Sequence, residues 1–395
     1  MKFENAYIPG PLAWSSPFIR WQGGLADVSS LDLAVQVTRD ALQARGYDAA
    51  EVAQLVYGTT VPQIGSFFAG PLVAARMGLP AIGGPTISQA CATSVACIVQ
   101  AAAACQLSGG DAQLVVTADR VSNGPLMIYP RSNAMGGSPA TEHWVLDNFA
   151  CDPWTGESMI ATAEATARDG AFTREQCDEV TLLRHSQYQK ALADERRIQQ
   201  QYFQPIVVQQ RKKSIVLDAD EGIGPYSREG LAALKVVAPG GVTTPGSQTH
   251  PADGAAGLVV TGAARARALA RDQGVVRLVS AGFARAEKGR MPKAPALAAQ
   301  RALASAGTTI RDMKLVGTHN PFAVNDLWFS RAMDYPLERM NPYGCSLIYG
   351  HPQGPTGMRT IVELVHALRA QGGGLGLFTG CAAGDMGAAL VLCVE

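Results

Sequence analysis

The sequence predicts an α/β protein made of one unit that occurs twice, and two repeated patterns carry this prediction. A helical segment, a glycine and a short apolar strand that ends in Gly-Thr follow one another at 31–59 and again at 295–318. A second helical segment, ended by glycines and followed by another apolar strand, occurs at 92–118 and again at 358–380. One order of elements found twice in a chain indicates a duplicated fold.

The spacing between the two patterns is nearly constant. Gly58 and Gly317 lie 259 residues apart, and Cys91 and His351 lie 260 residues apart. Similar elements can recur by chance in any α/β protein, but a common offset favours duplication. If the two copies pair about a pseudo-twofold axis, the starts of their second helices face a shared centre. Cys91 and His351 would then meet, as a cysteine nucleophile and its base must.

The first elements of the first copy follow from local signals. Ser29 and Ser30 can cap a helix over 31–44, because their hydroxyls accept hydrogen bonds from the first free N–H groups of a helix. Gly46 follows that helix, as glycine commonly does at a helix end. The apolar run at 52–58 is typical of a buried strand.

Cys91 stands where a small, polar turn changes into an uncharged helix over 92–107, ahead of a strand at 113–118. Free N–H groups and the helix dipole at such a start favour a thiolate, so one interpretation is a reactive Cys91 with a lowered pKa. The alternative is a buried apolar cysteine, which describes most free cysteines. Cys97 and Cys105, inside the helix, are interpreted in this second way.

The composition excludes several classes of protein. The chain has 395 residues, 47% of them hydrophobic and 17% charged, with 33 basic and 33 acidic side chains. This balance gives no reason to expect binding to nucleic acid or to an acidic membrane surface. The N-terminus lacks a signal-peptide pattern, and we expect no membrane-spanning helix. The eight cysteines form no CxxC pair, so we expect a cytoplasmic protein without a metal site.

The region 121–250 separates the two copies and differs from both. It contains aromatic and proline-rich loops, then polar helical runs at 157–168 and 173–192, the second of which begins with a capping-box pattern. A basic triplet follows at 211–213. Long insertions of this kind usually carry binding residues, so we expect this region to cover the active face.

The second copy contains three clusters that combine reactive side chains with glycines. They lie at 317–323 (GTHNPFA), 350–357 (GHPQGPTG) and 380–387 (GCAAGDMG). Each follows or precedes a predicted strand or helix, and glycine lets the backbone approach a ligand closely. Two histidines and two cysteines, counting Cys91, in such positions indicate a catalytic centre rather than packing alone.

These motifs resemble those of the thiolase family, and the resemblance extends over nearly the whole chain. Cys91 and the small-residue helix after it resemble the thiolase nucleophile motif, 350–357 resembles GHPxGxxG, and 381–387 resembles CxGGGxG. The segment 242–256 resembles the motif that precedes the second half of thiolases. HNPF at 319–322 stands where many thiolases have NEAF, and its histidine resembles the HDxF of the sterol-carrier-protein-type branch.

The resemblance implies a thiolase fold of five layers, αβαβα, with a long inserted loop region. On this basis, 1–120 and 251–270 form the N-terminal half, 121–250 the insertion and 271–395 the C-terminal half. It also implies a homo-oligomer, either a dimer or a tetramer, and no cofactor other than coenzyme A as a substrate.

The resemblance assigns catalytic roles to four side chains. Cys91 is the nucleophile that attacks a 3-ketoacyl-CoA, and His351 takes its proton. His351 and His319 form an oxyanion hole for the enolate that leaves, directly or through water. Cys381 protonates that enolate and later deprotonates the incoming CoA thiol. The N–H groups of Cys91 and Ala383 form a second oxyanion hole for the acyl-enzyme.

Contacts to CoA are expected from two places. Ser247 and Thr249 lie in the family motif that precedes the second half, although Ser-Gln-Thr replaces its usual Asn-x-Ser. Arg211 and Lys212 belong to the basic triplet of the insertion, for which a plain solvated surface is the alternative.

Other side chains near the motifs have open interpretations. Asn320 and Asp385 could orient the histidines, and Cys345 could line the pocket or only pack in the core. Both His319 as a structural histidine and Cys381 as a packing residue remain alternatives. Ala383 replaces a motif glycine and keeps its N–H, but its methyl group could crowd a substrate.

The function expected from the resemblance is thiolytic cleavage of a 3-ketoacyl-CoA by free CoA, in a degradative direction. The departures and the aromatic insertion indicate a branched or aromatic substrate, such as a benzoylsuccinyl-CoA-like compound, and an accessory zinc-ribbon/OB-fold subunit. One alternative is a ketoacyl-synthase-III-like condensing enzyme, which would lack the second catalytic cysteine. Another is a non-catalytic protein that binds acyl-CoA.

Overall fold

The computed structural model describes residues 1–133, 135–209 and 213–395. The first copy of the predicted unit contains the predicted helix-strand-helix-strand order, and the Ser29 side chain accepts from Leu31 N–H to cap the first helix as expected. The elements are β1 (Tyr7–Pro9), β2 (Ala13–Ser15), β3 (Ile19–Arg20), α1 (Ser30–Ala44), β4 (Gln54–Gly58), α2 (Ala69–Arg76), β5 (Thr86–Ile87), α3 (Thr93–Leu107) and β6 (Gln113–Arg120).

The insertion folds into two hairpins and four helices among the described residues. Its two polar runs are helical, and the capping box at Thr173 and Gln176 is confirmed. The longest helix departs from helical geometry at 193–196. The elements are β7 (Leu126–Tyr129), β8 (Ala140–His143), α4 (Leu146–Ala150), α5 (Met159–Gly170), α6 (Arg174–Gln200), β9 (Ile206–Gln209), β10 (Ser214–Leu217) and α7 (Arg228–Ala233).

The remaining chain completes the first sheet and forms the second copy. The elements are β11 (Ala252–Val260), α8 (Ala263–Leu269), β12 (Val275–Arg285), α9 (Ala294–Ala306), β13 (Leu315–His319), α10 (Ala323–Met333), α11 (Ser346–Tyr349), α12 (Gly354–Ala370), β14 (Gly374–Ala382) and β15 (Met386–Val394). Short 3₁₀ turns lie at Ala49–Glu51, Ser66–Phe68, Met135–Gly137, Met291–Lys293, Ile310–Asp312 and Leu337–Arg339.

Two mixed sheets repeat one topology. The first has the order β2-β11-β6-β4-β5, and the second has the order β1-β12-β15-β14-β13. In the first sheet β4 pairs in parallel with both β5 and β6, and in the second sheet β13 pairs in parallel with β14. The next strands of each sheet are antiparallel. The two glycines of the sequence pattern hold equivalent registers, because Gly58 pairs with Thr117 and Gly317 with Phe378.

Strand β1 links the beginning of the chain to the second sheet. It pairs with β12, so Tyr7–Pro9 lies in the second sheet and not with the rest of 1–120. Strand β11, from the predicted segment 251–270, does complete the first sheet. The domain boundaries stay predictions.

The predicted five-layer arrangement is confirmed by where the apolar clusters lie. Helices α3 and α12 pack between the two sheets, in a buried cluster that takes Val56 and Val115 from one sheet and Leu390 from the other. The alternate residues of the strands face outward, so that Leu114 packs beneath α1 and Leu377 beneath α9. The period of two along each strand thus divides the core into a central layer and two outer layers.

The starts of α3 and α12 meet in the central layer. The Ser94 hydroxyl accepts from Met358 N–H at 2.8 Å and also contacts the Gly354 carbonyl. Each helix lies close to its own sheet because a glycine lies below it. A Cβ at Gly58 would lie 2.7 Å from the Cys97 sulfur, and one at Gly317 would lie 3.0 Å from a methyl group of Thr360.

One stretch among the described residues, Ala90–Leu107, is long and apolar enough to cross a membrane by composition alone, with a mean hydropathy of 1.6. No membrane-spanning helix was expected, and the position of this stretch in the core accounts for its apolar composition. Half of the stretch is buried inside the protein, because it contains α3 of the central layer. A helix packed on both sides by sheets is apolar for that reason.

Candidate active site

Cys91 lies directly before α3, as predicted, on a backbone bend. Ala90 has a φ of 45°, and Ala92 forms the N-cap without a side-chain hydrogen bond. The bend leaves Cys91 half-buried. Its sulfur lies 3.1 Å from Nε2 of His351, a residue 260 positions later in the chain. The predicted meeting of the two helix starts is therefore present.

His351 is placed by a loop that backbone contacts hold. Its N–H donates to the His250 carbonyl at 2.9 Å, and flanking Gly350 and Gln353 have φ angles of 89° and 57°. Nδ1 lies 2.6 Å from the Thr356 hydroxyl, in the first turn of α12. With the ring proton on Nδ1, where Thr356 can accept it, Nε2 keeps a lone pair for the Cys91 proton.

The protonation of this pair differs from the sequence-based expectation. Burial raises the pKa of the Cys91 thiol to about 12, although N–H groups of Ala383 and of Cys91 itself donate to the sulfur and oppose the shift. Burial, and then the neighbouring His319, hold the pKa of His351 well below its usual range. A lowered pKa for Cys91 was expected, but desolvation outweighs the helix start. The resting pair is a neutral thiol and a neutral imidazole.

His319 ends β13 and stacks on His351. Their ring centroids are 4.1 Å apart and the rings are inclined by 27°. Nδ1 of His319 lies 2.9 Å from the Ser346 hydroxyl, whereas Nε2 is buried and has no hydrogen-bond partner among the described residues. Burial lowers the pKa of His319 to about 3, so this ring is also neutral.

Cys381 comes from the end of β14 and is buried beside Cys91. The Asn325 amide donates to its sulfur at 3.3 Å. Burial, and then the proximity of Cys91, raise the pKa of the Cys381 thiol well above its usual range. Two protonated thiols therefore lie near two neutral imidazoles, and proton transfer must accompany any reaction between them.

Cys91, His351 and Cys381 open into a largely apolar pocket of about 200 Å³, whereas His319 lies behind His351 and is not among the lining residues. Among the described residues, the pocket is lined by Cys91, Phe149, Met159, Ile160, Gln248, Thr249, Pro251, Met291, Pro321, Phe322, His351, Cys381 and Ala383. The insertion supplies Phe149, Met159 and Ile160, as expected for a region that covers the active face. The few polar groups are concentrated at the thiols and the imidazole, a combination typical of a small-molecule site.

Of the two described residues that were predicted to contact CoA, one lines the pocket and one does not. Thr249 lines the pocket, and its hydroxyl donates to the Ser346 carbonyl. Ser247 does not line the pocket, because its buried hydroxyl bonds with the backbone and side chain of Thr244. Gln248, between them, was not singled out from the sequence but does line the pocket. The predicted contacts at Arg211 and Lys212 fall outside the described residues.

Of the two side chains proposed to orient the histidines, Asn320 is connected to one and Asp385 is not. Asn320 contacts the Ser346 hydroxyl at 3.4 Å and so reaches His319 indirectly. Asp385 does not orient a histidine, because its carboxylate accepts from the N–H groups of Gly289 and Arg290. Cys345 is buried against a packing cluster and does not line the pocket, which favours the packing interpretation.

Four polar residues behind the site were missed by the sequence analysis. Ser346, Thr356 and Asn325 contact the two histidines and Cys381, and Asp119 holds the start of α12 through Gly354 N–H at 2.9 Å. Ser346, Asn325 and Asp119 act across separations of 27, 56 and 235 residues, and none of these three belongs to a motif with its partner. Thr356 alone gave a signal, as a polar residue within GHPQGPTG.

Donor atoms of Cys91, His319 and His351 lie within 4.8 Å of one another. Cysteine and histidine are ligands that zinc prefers. The stacked histidine rings, inclined by only 27°, direct their nitrogens nearly side by side rather than toward one tetrahedral centre. The absence of a resident metal remains a prediction.

Known proteins match the chain along its length. The thiolase N-terminal domain family matches residues 13–264, and the thiolase C-terminal domain family matches 273–394. Acetyl-CoA acetyltransferase of Escherichia coli (strain K12) is 28% identical over 382 residues, which cover 94% of this chain and 95% of that protein. 3-Ketoacyl-CoA thiolase of Pseudoalteromonas translucida (strain TAC 125) is 28% identical over 419 residues, covering 95% and 94%.

A solved structure agrees with these matches. The crystal structure of the Bacillus anthracis acetyl-CoA acetyltransferase superposes on this chain with a TM-score of 0.91 and 26% sequence identity, covering 100% of both chains. The agreement extends over both sheets and the insertion.

Proposed function

This chain belongs to the thiolase family and is an acyltransferase, and we propose that it cleaves a 3-ketoacyl-CoA with free CoA to give two acyl-CoA products. The observation that carries the proposal is the 3.1 Å contact between the Cys91 sulfur and His351 Nε2. It joins a nucleophile from one copy of the unit to a base from the other.

The first step is attack of Cys91 on the keto carbon, with transfer of the thiol proton to His351 Nε2. The neutral state of both groups supports this order, because a thiol with a pKa of about 12 needs a base within reach as it attacks. Collapse of the tetrahedral adduct breaks the C–C bond. The acyl group stays on Cys91, and a thioester enolate leaves.

The enolate is stabilised by His351 and His319 and protonated by Cys381. The stacking of the two imidazoles and the position of Cys381 beside Cys91 support these roles. Asn325 donates to the Cys381 sulfur, which favours the thiolate left after proton transfer. The first product, a shortened acyl-CoA, then departs.

The second step transfers the acyl group from Cys91 to CoA. Cys381 takes the proton of the incoming CoA thiol, and the thiolate attacks the acyl-enzyme. The N–H groups of Cys91 and Ala383 bind the oxyanion, a role supported by their contacts with the Cys91 sulfur. Preorganised donors of this kind each contribute about 3–4 kcal/mol to transition-state binding. Cys91 recovers its thiol proton when the adduct collapses.

The substrate is proposed to be branched or aromatic at its acyl end, as in benzoylsuccinyl-CoA-like compounds. The support is the apolar lining supplied by Phe149, Ile160 and Met291, together with His319 at the position that resembles the sterol-carrier-protein-type branch. We extend the proposal to a degradative role in the cytoplasm, with CoA as a substrate and an accessory zinc-ribbon/OB-fold subunit.

A homodimer is part of the proposal. Strand β5 forms an edge of the first sheet, and the nearby side chains of Ile64 and Phe67 are completely exposed, at 101% and 100%. An open edge next to exposed apolar side chains is suited to pairing with a second copy. A tetramer would need a further contact surface.

The test is a thiolysis assay across acetoacetyl-CoA and branched and aromatic 3-ketoacyl-CoAs, with the acyl-enzyme followed by mass spectrometry of the Cys91 peptide. We expect turnover by the wild type, and a loss of more than about a thousandfold with no acyl-enzyme in Cys91→Ala, because the nucleophile is gone. Cys97→Ala is the matched control, since it removes a buried thiol from the adjacent helix and should keep most of the activity.

The alternatives give different results. Turnover by Cys91→Ala, or no acylation of the wild type by any acyl-CoA, would contradict the proposal. A ketoacyl-synthase-III-like enzyme would keep condensation activity in Cys381→Ala, whereas a thiolase should lose it.

A further inference from the structure

A row of buried polar side chains, joined by hydrogen bonds, reaches His319 on the Nδ1 side of its ring. It runs through Ser346, Asn320 and Asp326 to Arg184 of the insertion, and none of these side chains has a role in the steps above. All five residues are at most 1% exposed. The contacts are His319 Nδ1 to Ser346 Oγ at 2.9 Å, Ser346 Oγ to Asn320 Oδ1 at 3.4 Å, Asn320 Nδ2 to Asp326 Oδ2 at 2.6 Å, and Arg184 Nε to Asp326 Oδ2 at 2.8 Å.

The ion pair of Asp326 and Arg184, at the far end of this row of side chains, fixes the direction of every hydrogen bond in it. Arg184 can only donate and an ionised Asp326 can only accept, so Asp326 requires a donor from Asn320. The Asn320 amide nitrogen therefore faces Asp326, and its oxygen faces Ser346. Because that oxygen can only accept, the single proton of the Ser346 hydroxyl is directed to Asn320. The hydroxyl oxygen is then left to accept from His319.

We infer that Ser346, held by Asn320, Asp326 and Arg184, keeps the proton of His319 on Nδ1, so that Nε2 presents a lone pair to the active site. The opposite direction would leave the buried Asn320 oxygen without its donor from Ser346, which is an unfavourable state for a buried acceptor. The neighbouring donor from Asn320 to Asp326 also polarises the amide and strengthens its oxygen as an acceptor.

This inference has a consequence that rests on the proposed function. A lone pair on Nε2 cannot donate to the enolate oxygen. His319 must therefore act through a water molecule that donates one hydrogen to Nε2 and the other to the enolate oxygen. His351 contacts the oxygen directly after taking the Cys91 proton on Nε2. The two stacked histidines thus contribute in different ways, and Ser346 is a positioning residue for one of them.

The test uses the full-length protein labelled with ¹⁵N-histidine and long-range ¹⁵N–¹H correlation spectra near pH 7.5, with His319→Gln to assign the ring. We expect the wild type to show a protonated Nδ1 and a bare Nε2 at His319. In Ser346→Ala this preference should be lost. The kcat for thiolysis should fall on the order of tenfold, as when a histidine loses its outer hydrogen-bond partner, with little change in KM.

Two further variants separate positioning from general damage. Ser346→Thr keeps a hydroxyl and should restore both the tautomer and most of kcat. Ser330→Ala, which removes from α10 a hydroxyl that donates to the Tyr335 carbonyl, should change neither. A protonated Nε2 in the wild type, or an unchanged His319 tautomer in Ser346→Ala, would overturn the inference. Because the spectra need no turnover, this result is independent of whether the thiolase proposal holds.

Discussion

The starts of α3 and α12 occupy equivalent places in the two copies, yet they are built differently. At α12, the Asp119 carboxylate from β6 of the other copy accepts from Gly354 N–H. At α3, the N-cap is Ala92. One helix start therefore carries a protein anion. At the other, the N–H groups of Ala92 and Thr93 donate to the backbone carbonyls of Gln89 and Ala90, and no side chain among the described residues caps the helix.

This difference matches the different chemistry at the two positions. The start of α3 has no capping carboxylate, so the positive end of its helix dipole can stabilise an oxyanion beside Cys91. The capped start of α12 instead holds a loop rigid, so that His351 stays 3.1 Å from the sulfur. Duplication supplied two similar helix starts, and one now serves the reacting oxygen while the other serves the base.

The comparison of the two helix starts predicts its largest effect for removal of the base, His351. In His351→Ala we expect kcat/KM for thiolysis to fall by about a hundredfold to ten-thousandfold, as for loss of a general base. His366→Ala is the matched control, because it removes a buried histidine that lies within α12 and contacts Gln201, away from the pocket. A similar loss of kcat/KM in both variants would show that removing either buried histidine impairs the enzyme. That result would contradict a specific role for the Cys91–His351 pair.

A smaller effect is expected for the anion at α12. The Asp119 carboxylate accepts from Thr60 and Val61 N–H groups as well as from Gly354, but burial still raises its pKa to about 6. The folded pKa thus lies above the usual value, so the native state holds the proton longer. Its contribution to stability is present at low pH and is lost as pH rises through about 6.

Asp119→Asn should remove this pH dependence. Between about pH 4 and pH 7, the free energy of unfolding of the wild type relative to the variant should fall by about 2–3 kcal/mol. The variant should also have a reduced kcat, because an amide N–H₂ would oppose Gly354 N–H and shift the His351 loop. Denaturant titrations at several pH values measure the first effect. Parallel stability curves for the two proteins would contradict it.

The sequence predicted the parts of the fold that local patterns determine. The offset of about 260 residues correctly identified β13 as the equivalent of β4, and α12 as the equivalent of α3. It could do so because the sequence signals of glycines, strands and helices are local. The meeting of Cys91 and His351 followed from that symmetry. The pairing of β1 with β12 could not be predicted, since three residues of sequence do not indicate which of two sheets they join.

The electrostatics of the site could not be predicted in the same way. The helix start at Cys91 was expected to lower its pKa, but the cost of burial depends on groups brought in from distant parts of the chain. Asp119 and Ser346 were missed for the same reason, since their partners lie 235 and 27 residues away. Asp385 was misjudged because its motif did not reveal that it binds backbone N–H groups near Gly289.

The central claim is that Cys91 is a neutral thiol whose reactivity depends on His351. The most direct measurement is the rate of Cys91 alkylation by iodoacetamide between pH 6 and pH 9, followed by peptide mass spectrometry in the wild type and in His351→Ala. We predict a wild-type rate that keeps rising with pH, because the thiol pKa is raised to about 12, and a rate at pH 7.5 at least about tenfold lower in the variant. A rate that is already constant from pH 6, or equal rates in the two proteins, would contradict the claim.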